Sequence, residues 1–203
     1  GATVPRGERV QGTLEMRWTQ NLMREVAQEE RSGLGLGPLD AFDPYALCQE
    51  HGIPVYSMTG LADDLTSKAA IEHFAGGRAS AWSAALVPYG TARIIIENDA
   101  HALVRRRSNI AHELGHHLLE HEFEEVVLGE DHTRQFSAEQ EKQATFMAGE
   151  LLIPLTAAER MAFDNRDNDY VAQRYGVSTQ FAQMQMKGQR VRAKRAGAKF
   201  AGR

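Results

Sequence analysis

The chain has 203 residues, 42% of them apolar and 25% charged, with one cysteine and a formal charge of −4. That apolar share is enough for a packed domain and excludes a chain disordered throughout, while a lone Cys48 excludes an internal disulfide framework and any metal site built from several thiolates. No run reaches the roughly 20 apolar residues of a bilayer-crossing helix and no basic, apolar leader opens the sequence, so the expected address is the cytoplasm with no membrane partner.

Leu14, Trp18, Leu22 and Val26, spaced by four, predict an amphipathic helix over about 13–30. Gly33, Gly35, Gly37 and Pro38 end it in a loop. Asp43 is placed to cap a short helix with Pro44 in its first position, running to Gly52, and residues 53–56 follow as a short strand. Residues 67–75 read as helix. Residues 81–87 and 92–97 are β-like runs separated by Pro88, Tyr89, Gly90 and Thr91, which predicts a hairpin. Helical patterning resumes at about 99 and includes 108–121, and the acidic stretch 122–134 reads as irregular. Ser137 followed by Gln140 forms a capping box for a helix that runs to about Leu152 and stops at Pro154. Two short helices, about 167–174 and 178–187, flank Gly176, Val177 and Ser178. The layout is α+β, with a small mixed or antiparallel sheet against several helices.

The segment that carries chemistry is Ile110-Ala-His112-Glu113-Leu-Gly-His116-His117-Leu118. Two histidines four residues apart lie about 40° apart on one helix face, close enough to share a metal ion. Glu113 projects beside that face, within reach of a water that a bound zinc ion would acidify to a pKa of about 7. Ile110, Ala111, Leu114 and Leu118 gather on the side away from the histidines, so the helix can bury its back and present the pair.

A hydrolytic zinc needs a third protein ligand. The extended form of the motif would place it six residues beyond His116, where Glu122 stands and no histidine is found. His121, counted along the same helix, lies about 140° from His116. Carboxylates on the next helix are Glu139, Glu141 and Glu150. Ala144, Thr145, Ala148 and Leu152 fall within about 60° of Glu141, whereas Glu139 and Glu150 fall nearly opposite. Small residues on that face would let the two helices approach closely, which makes Glu141 the best third ligand. His117 and His121 have no ligand spacing and read as structural or solvent-facing, and Cys48 reads as a small buried hydrophobe.

The run from Arg107 through His112 to His116, then Glu141-Lys-Gln-Ala144 through Ala148 to Pro154, resembles the ImmA/IrrE family of metallopeptidases. Residues 82–87 before 94–97, Gly52–Val55 upstream, and Val171 through Gly176 to Ser178 support the resemblance, which covers about residues 40–185. It implies a zincin-like metallopeptidase domain over 1–160, a helix-turn-helix-like subdomain over 161–187, and a zinc endopeptidase. Such enzymes cleave a helix-turn-helix repressor and so derepress stress, phage or mobile-element genes. The implied roles are His112, His116 and Glu141 as zinc ligands and Glu113 as general base; by ligand type, manganese or iron could also fill a site of two histidines and a carboxylate. Thr145 stands where the family often carries Asn. The expected substrate pose is an extended peptide added to strand 81–87, with Tyr89, Arg107 and His132 as candidate oxyanion partners.

Seven basic residues and no acidic one lie between Lys187 and Arg203. Removing that +7 from the total of −4 leaves −11 for residues 1–186. The expectation for 188–203 is a flexible basic tail capable of weak nucleic-acid contact. The alternative function is therefore a DNA-binding or repressor-sequestering regulator with a non-hydrolytic metal site. Against DNA reading stands the second helix of the pair, Thr179 to Met186, which carries little charge for groove contacts.

Overall fold

A computed structural model describes residues 17–63, 83–89, 92–122, 124–125 and 134–201. The expected helix at 67–75, Leu14, His73 and His132 lie outside the described residues. Helix α1 spans Gln20–Gly33 and is capped by the Thr19 hydroxyl, which accepts from the Leu22 amide. It starts later than its apolar spacing predicts, and its deepest residues are Met23, Ala27 and Arg31, one position on from Leu22 and Val26. The shift has a tertiary cause. Trp18 stays outside the helix, where its indole N–H donates to the Leu119 carbonyl at 3.0 Å.

Helix α2 (Pro44–Glu50) follows its Asp43 cap as expected, and β1 (Val55–Ser57) leads directly into a short α3 (Met58–Asp63). β2 (Ala84–Tyr89) and β3 (Ala92–Glu97) form the expected hairpin, with Pro88 and Tyr89 inside the strand rather than the loop. β1 joins β3 in parallel, giving the order β1-β3-β2 and a mixed sheet. Helix α4 (Leu103–Leu118) packs on that sheet. In the stretch expected to be irregular, Glu124–Glu125 (β4) and Arg134–Gln135 (β5) pair antiparallel. Helix α5 (Ala138–Leu152) opens on the predicted capping box, with Ser137 and Gln140 each bonding the other's backbone amide.

Two differences from expectation follow at the C-terminal end, one at Pro154 and one in the last helix. Pro154 does stop α5, but its extended backbone also starts a new helix, α6 (Leu155–Phe163), whose first amide is taken by Glu150 Oε2 at 3.0 Å. Helix α7 (Asn168–Tyr175) closes on Gly176 in the left-handed conformation. Helix α8 then runs from Thr179 to Ala201, crossing the expected boundary at 187 without a break. The expected flexible tail is helix to Ala201, because its inner face rests on α6 and α7. Ala193 packs against the core, Arg192 Nη1 reaches Glu159 at 2.6 Å, and Arg190 donates to Asn168 at 2.6 Å.

One core joins these layers. Leu47, Ile95, Ile110, Leu114, Leu151 and Tyr175 are each fully buried, and burial of a large apolar side chain contributes about 1.5–3 kcal/mol. The buried Arg31 guanidinium donates to the carbonyls of Leu151, Gly37 and Asp40, tying α1 to the end of α5 and to the glycine loop. The α+β class is as expected. Among the described residues no helix is long and apolar enough to cross a membrane.

Candidate metal centre

Helix α4 buries Ile110, Ala111 and Leu114 and turns His112 and His116 toward α5. The two helices touch at Gly115, where an added Cβ would lie 2.8 Å from the Ala144 carbonyl oxygen. Only glycine fits so close an approach. Ala144 lies one helical turn after Glu141, so the contact brings that carboxylate to the histidine pair. His112 Nε2 lies 3.1 Å from His116 Nε2 and 3.1 Å from Glu141 Oε2, and His116 Nε2 lies 3.5 Å from Glu141 Oε1.

These separations test whether a metal ion fits. Tetrahedral ligands bound at 2.0–2.1 Å stand about 3.3 Å apart; each histidine meets a different Glu141 oxygen near that separation, and one atom from each of the three residues lies within 4.8 Å of the other two. The donor set, two imidazoles and a carboxylate, suits zinc and also manganese or iron. Burial, reinforced for His116 by its histidine neighbours and Arg93, holds the His116 imidazole down to about 3. Burial also lowers His112 despite the neighbouring Glu141. Both rings are therefore neutral at pH 7 and have lone pairs to give. Side-chain exposure rises from 1% at His116 through 26% at His112 to 49% at Glu141, so the cluster opens to solvent on the Glu141 side.

Glu113 sits on the same helix, nearly fully buried, and its Oε2 accepts the Leu86 amide of β2 at 2.9 Å. Burial pushes its carboxyl up to about 8 and the Glu141 charge adds to that, while the Leu86 amide opposes it. A carboxyl held in this range can both take and release a proton near neutrality.

His116 has a further set of contacts. The Phe136 ring stacks on it with centroids 3.6 Å apart, and His121 Nδ1 lies 3.0 Å from its Nδ1. His121 Nε2 meets Gln143 Oε1 at 2.9 Å, and Gln143 Nε2 reaches Glu139 Oε1 at 3.3 Å. His121 is buried rather than solvent-facing. Helical counting fails for it because α4 ends at Leu118, and a backbone reversal returns the chain beneath His116. The sequence carried one usable signal, a histidine just past a helix end; Gln143 and the Leu86 amide carried none.

Glu150, set opposite Glu141 by periodicity, is indeed held elsewhere, by Arg24 at 3.1 Å. Arg107 is removed from the oxyanion candidates. It bonds the carbonyls of Gly176 and Phe42 and the Asp43 carboxylate, bracing α2 against the turn before α8. The Tyr89 side chain is outside the described residues. His117 faces His51, which in turn meets Glu30 at 2.7 Å. Cys48 is buried, its thiol pushed up to about 12 by that burial, as suits a small hydrophobe. Thr145 is exposed.

Among the described residues, His112, His116 and Glu141 are the one group of three or more such side chains close enough together to hold a metal ion. In comparison with known proteins, residues 48–187 match the family model described as the IrrE N-terminal-like domain, a peptidase family. No curated protein matches the chain.

Proposed function

The chain belongs to the IrrE N-terminal-like peptidase family, and from that premise we propose a zinc-dependent endopeptidase whose metal is held by His112, His116 and Glu141 and whose general base is Glu113. Membership carries peptidase activity in general, and the α+β, zincin-like fold agrees with it. The observation that carries the finer reading is the convergence of the three ligand atoms beside a buried carboxyl poised near neutrality.

A divalent cation in that cluster supplies Lewis acidity for a peptide carbonyl and for water. The chain's own residues do the rest. Leu86 fixes one oxygen of Glu113 through its amide, leaving the other to carry the proton. Water attacks the scissile carbonyl carbon, forming a C–O bond, as its proton passes to Glu113. Glu113 then returns that proton to the amide nitrogen as the C–N bond breaks, releasing a carboxylic acid and an amine, between which the remaining proton passes to leave carboxylate and ammonium. A substrate strand lying along β2 would bring its scissile bond past Glu113.

For the substrate we adopt a helix-turn-helix repressor of stress, phage or mobile-element genes, met in the cytoplasm. The resemblance of residues 40–185 to ImmA/IrrE proteins supports this. The test is incubation with the repressor encoded nearest the gene, with zinc, with chelator, and beside Glu113→Gln. Zinc-dependent cleavage is expected, with a variant that keeps its metal and cuts nothing. An intact repressor under every metal condition would remove the repressor from the proposal. Retained cleavage by Glu113→Gln would remove Glu113 as base.

A further inference from the structure

We infer that His121 is a positioning residue that fixes the ring and tautomer of His116, so that the Nε2 lone pair of His116 faces the metal cluster. The inference rests on the metal-site reading above.

The backbone builds the contact. At the end of α4 the His121 amide donates to the His116 carbonyl at 3.0 Å and the Glu120 amide to the His117 carbonyl at 3.1 Å. This paired reversal normally uses glycine at the position that Glu120 occupies, and it sets the residue after the turn beside the one five positions earlier, usually through an apolar contact. Glu120 takes the left-handed conformation at φ 53°. A non-glycine residue pays for that geometry in backbone strain. Here the reversal joins two imidazoles by a hydrogen bond.

Hydrogen-bond polarity then fixes the protons from the outside inward. Gln143 Nε2, an amide N–H, donates to Glu139 Oε1, so the other end of the amide, Gln143 Oε1, is an acceptor. His121 Nε2 therefore carries the hydrogen that Gln143 Oε1 receives, and His121 Nδ1 is left with a lone pair. That lone pair takes the Nδ1–H of His116. A neutral imidazole has one N–H, so His116 Nε2 is bare, at the atom that lies 3.1 Å from His112 and 3.5 Å from Glu141. Phe136 holds the same ring from its face. His116 and His121 are both buried, so removing the acceptor would leave the Nδ1–H without a partner. A partner of this kind on a metal-bound histidine orients the ring and raises its basicity, and losing it typically weakens metal binding 10–100-fold.

The experiment compares wild type with His121→Phe, His121→Asn and Gln143→Leu in two readouts. One is long-range 1H–15N NMR of His116 in the metal-free protein, which reports the tautomer. The other is zinc affinity by competition with a chromophoric chelator. Wild type is expected to show His116 protonated at Nδ1, although free imidazole side chains in water favour Nε2–H. His121→Phe should move His116 toward Nε2–H and weaken zinc about 10–100-fold. His121→Asn retains an acceptor near the same place and should stay close to wild type in both. Gln143→Leu frees His121 to turn over and should give an intermediate result. If His121→Phe does not fold, the Asn and Leu variants carry the comparison. Unchanged tautomer and affinity in His121→Phe, or in Gln143→Leu where Phe does not fold, or an Asn variant as weak as Phe, would overturn the inference. A wild type that takes up no zinc would instead strike the metal reading, while the tautomer comparison would still decide the role of His121.

Discussion

Gly115 and Ala144 meet backbone to backbone where the two site helices cross, and a Cβ on Gly115 would stand 3.0 Å from the Ala144 Cα. The obstacle is main chain, which cannot swing aside. Gly115→Ala must therefore push α5 outward and carry Glu141 with it. Overpacking of this kind costs about 1–3 kcal/mol. Chemical denaturation should show that loss in metal-free protein, and chelator competition should show weaker zinc binding. Normal zinc affinity in this variant would mean that Glu141 is not positioned by the crossing.

Metal should stabilise the folded chain by mass action. At a free zinc concentration one hundred times the Kd, the gain is about 2.7 kcal/mol, read as a raised thermal midpoint that chelator reverses. Glu141→Gln replaces the anionic ligand with a neutral, weaker one and should lose most of the zinc-induced rise while leaving the metal-free midpoint nearly unchanged, since this side chain is half exposed. Equal rises in both proteins would exclude Glu141 as a ligand.

The metal-free protein should also have a pH signature. Glu113 is raised from 4.5 to about 8, so the folded state holds a proton that the unfolded state has released. Its contribution is complete below pH 4.5 and is lost as pH rises toward 8. His116, depressed from 6.5 to about 3, acts in the opposite sense: its contribution is complete above 6.5 and is lost as pH falls toward 3. The interval from 6.5 to 8 therefore isolates Glu113, and stability should decline there by about 2 kcal/mol. Urea midpoints for Glu113→Gln should be flat over that interval; a parallel decline in the variant would assign the effect elsewhere.

The parts of this site that were legible in the sequence are those set by local chemistry. The spacing of His112, Glu113 and His116 is helix geometry, the Ser137–Gln140 box is a contact across three residues, and the small face around Glu141 is periodicity. What escaped depends on where helices end and on what they meet. Glu120 is not glycine, so nothing in composition announces the reversal that ends α4 and returns His121 to His116. Pro154 signals a stop equally well whether or not a helix follows, and α6 starts there because Glu150 caps it from the previous helix. Trp18 left α1 for a carbonyl 101 residues away, a partner no local pattern contains.

Helix α8 gives a prediction about stability rather than chemistry. Truncation after Lys187 removes the Arg190–Asn168 bond, the Arg192–Glu159 pair and the packing of Ala193. One hydrogen bond contributes about 1 kcal/mol and an exposed ion pair less than that. A loss of about 1–2 kcal/mol in denaturant unfolding is expected. A silent truncation would return these residues to the status of a tail.

The outer margin of β2 is asymmetric in a way that bears on solubility. The Ser83 carbonyl faces β3, where it accepts the Asn98 amide, and Leu86 turns its amide the other way, to Glu113. Alternate positions 84, 86 and 88 therefore point away from β3. Pro88 has no N–H and the Leu86 N–H is taken by Glu113, so among the described residues Ala84 is the one position of the three whose amide has no partner, beside three carbonyls. A second copy of this strand would bring the same shortage of donors and could not zip onto it. A foreign extended segment rich in amides could. Among the described residues, the edge is thus poorly matched to pairing with a second copy of itself.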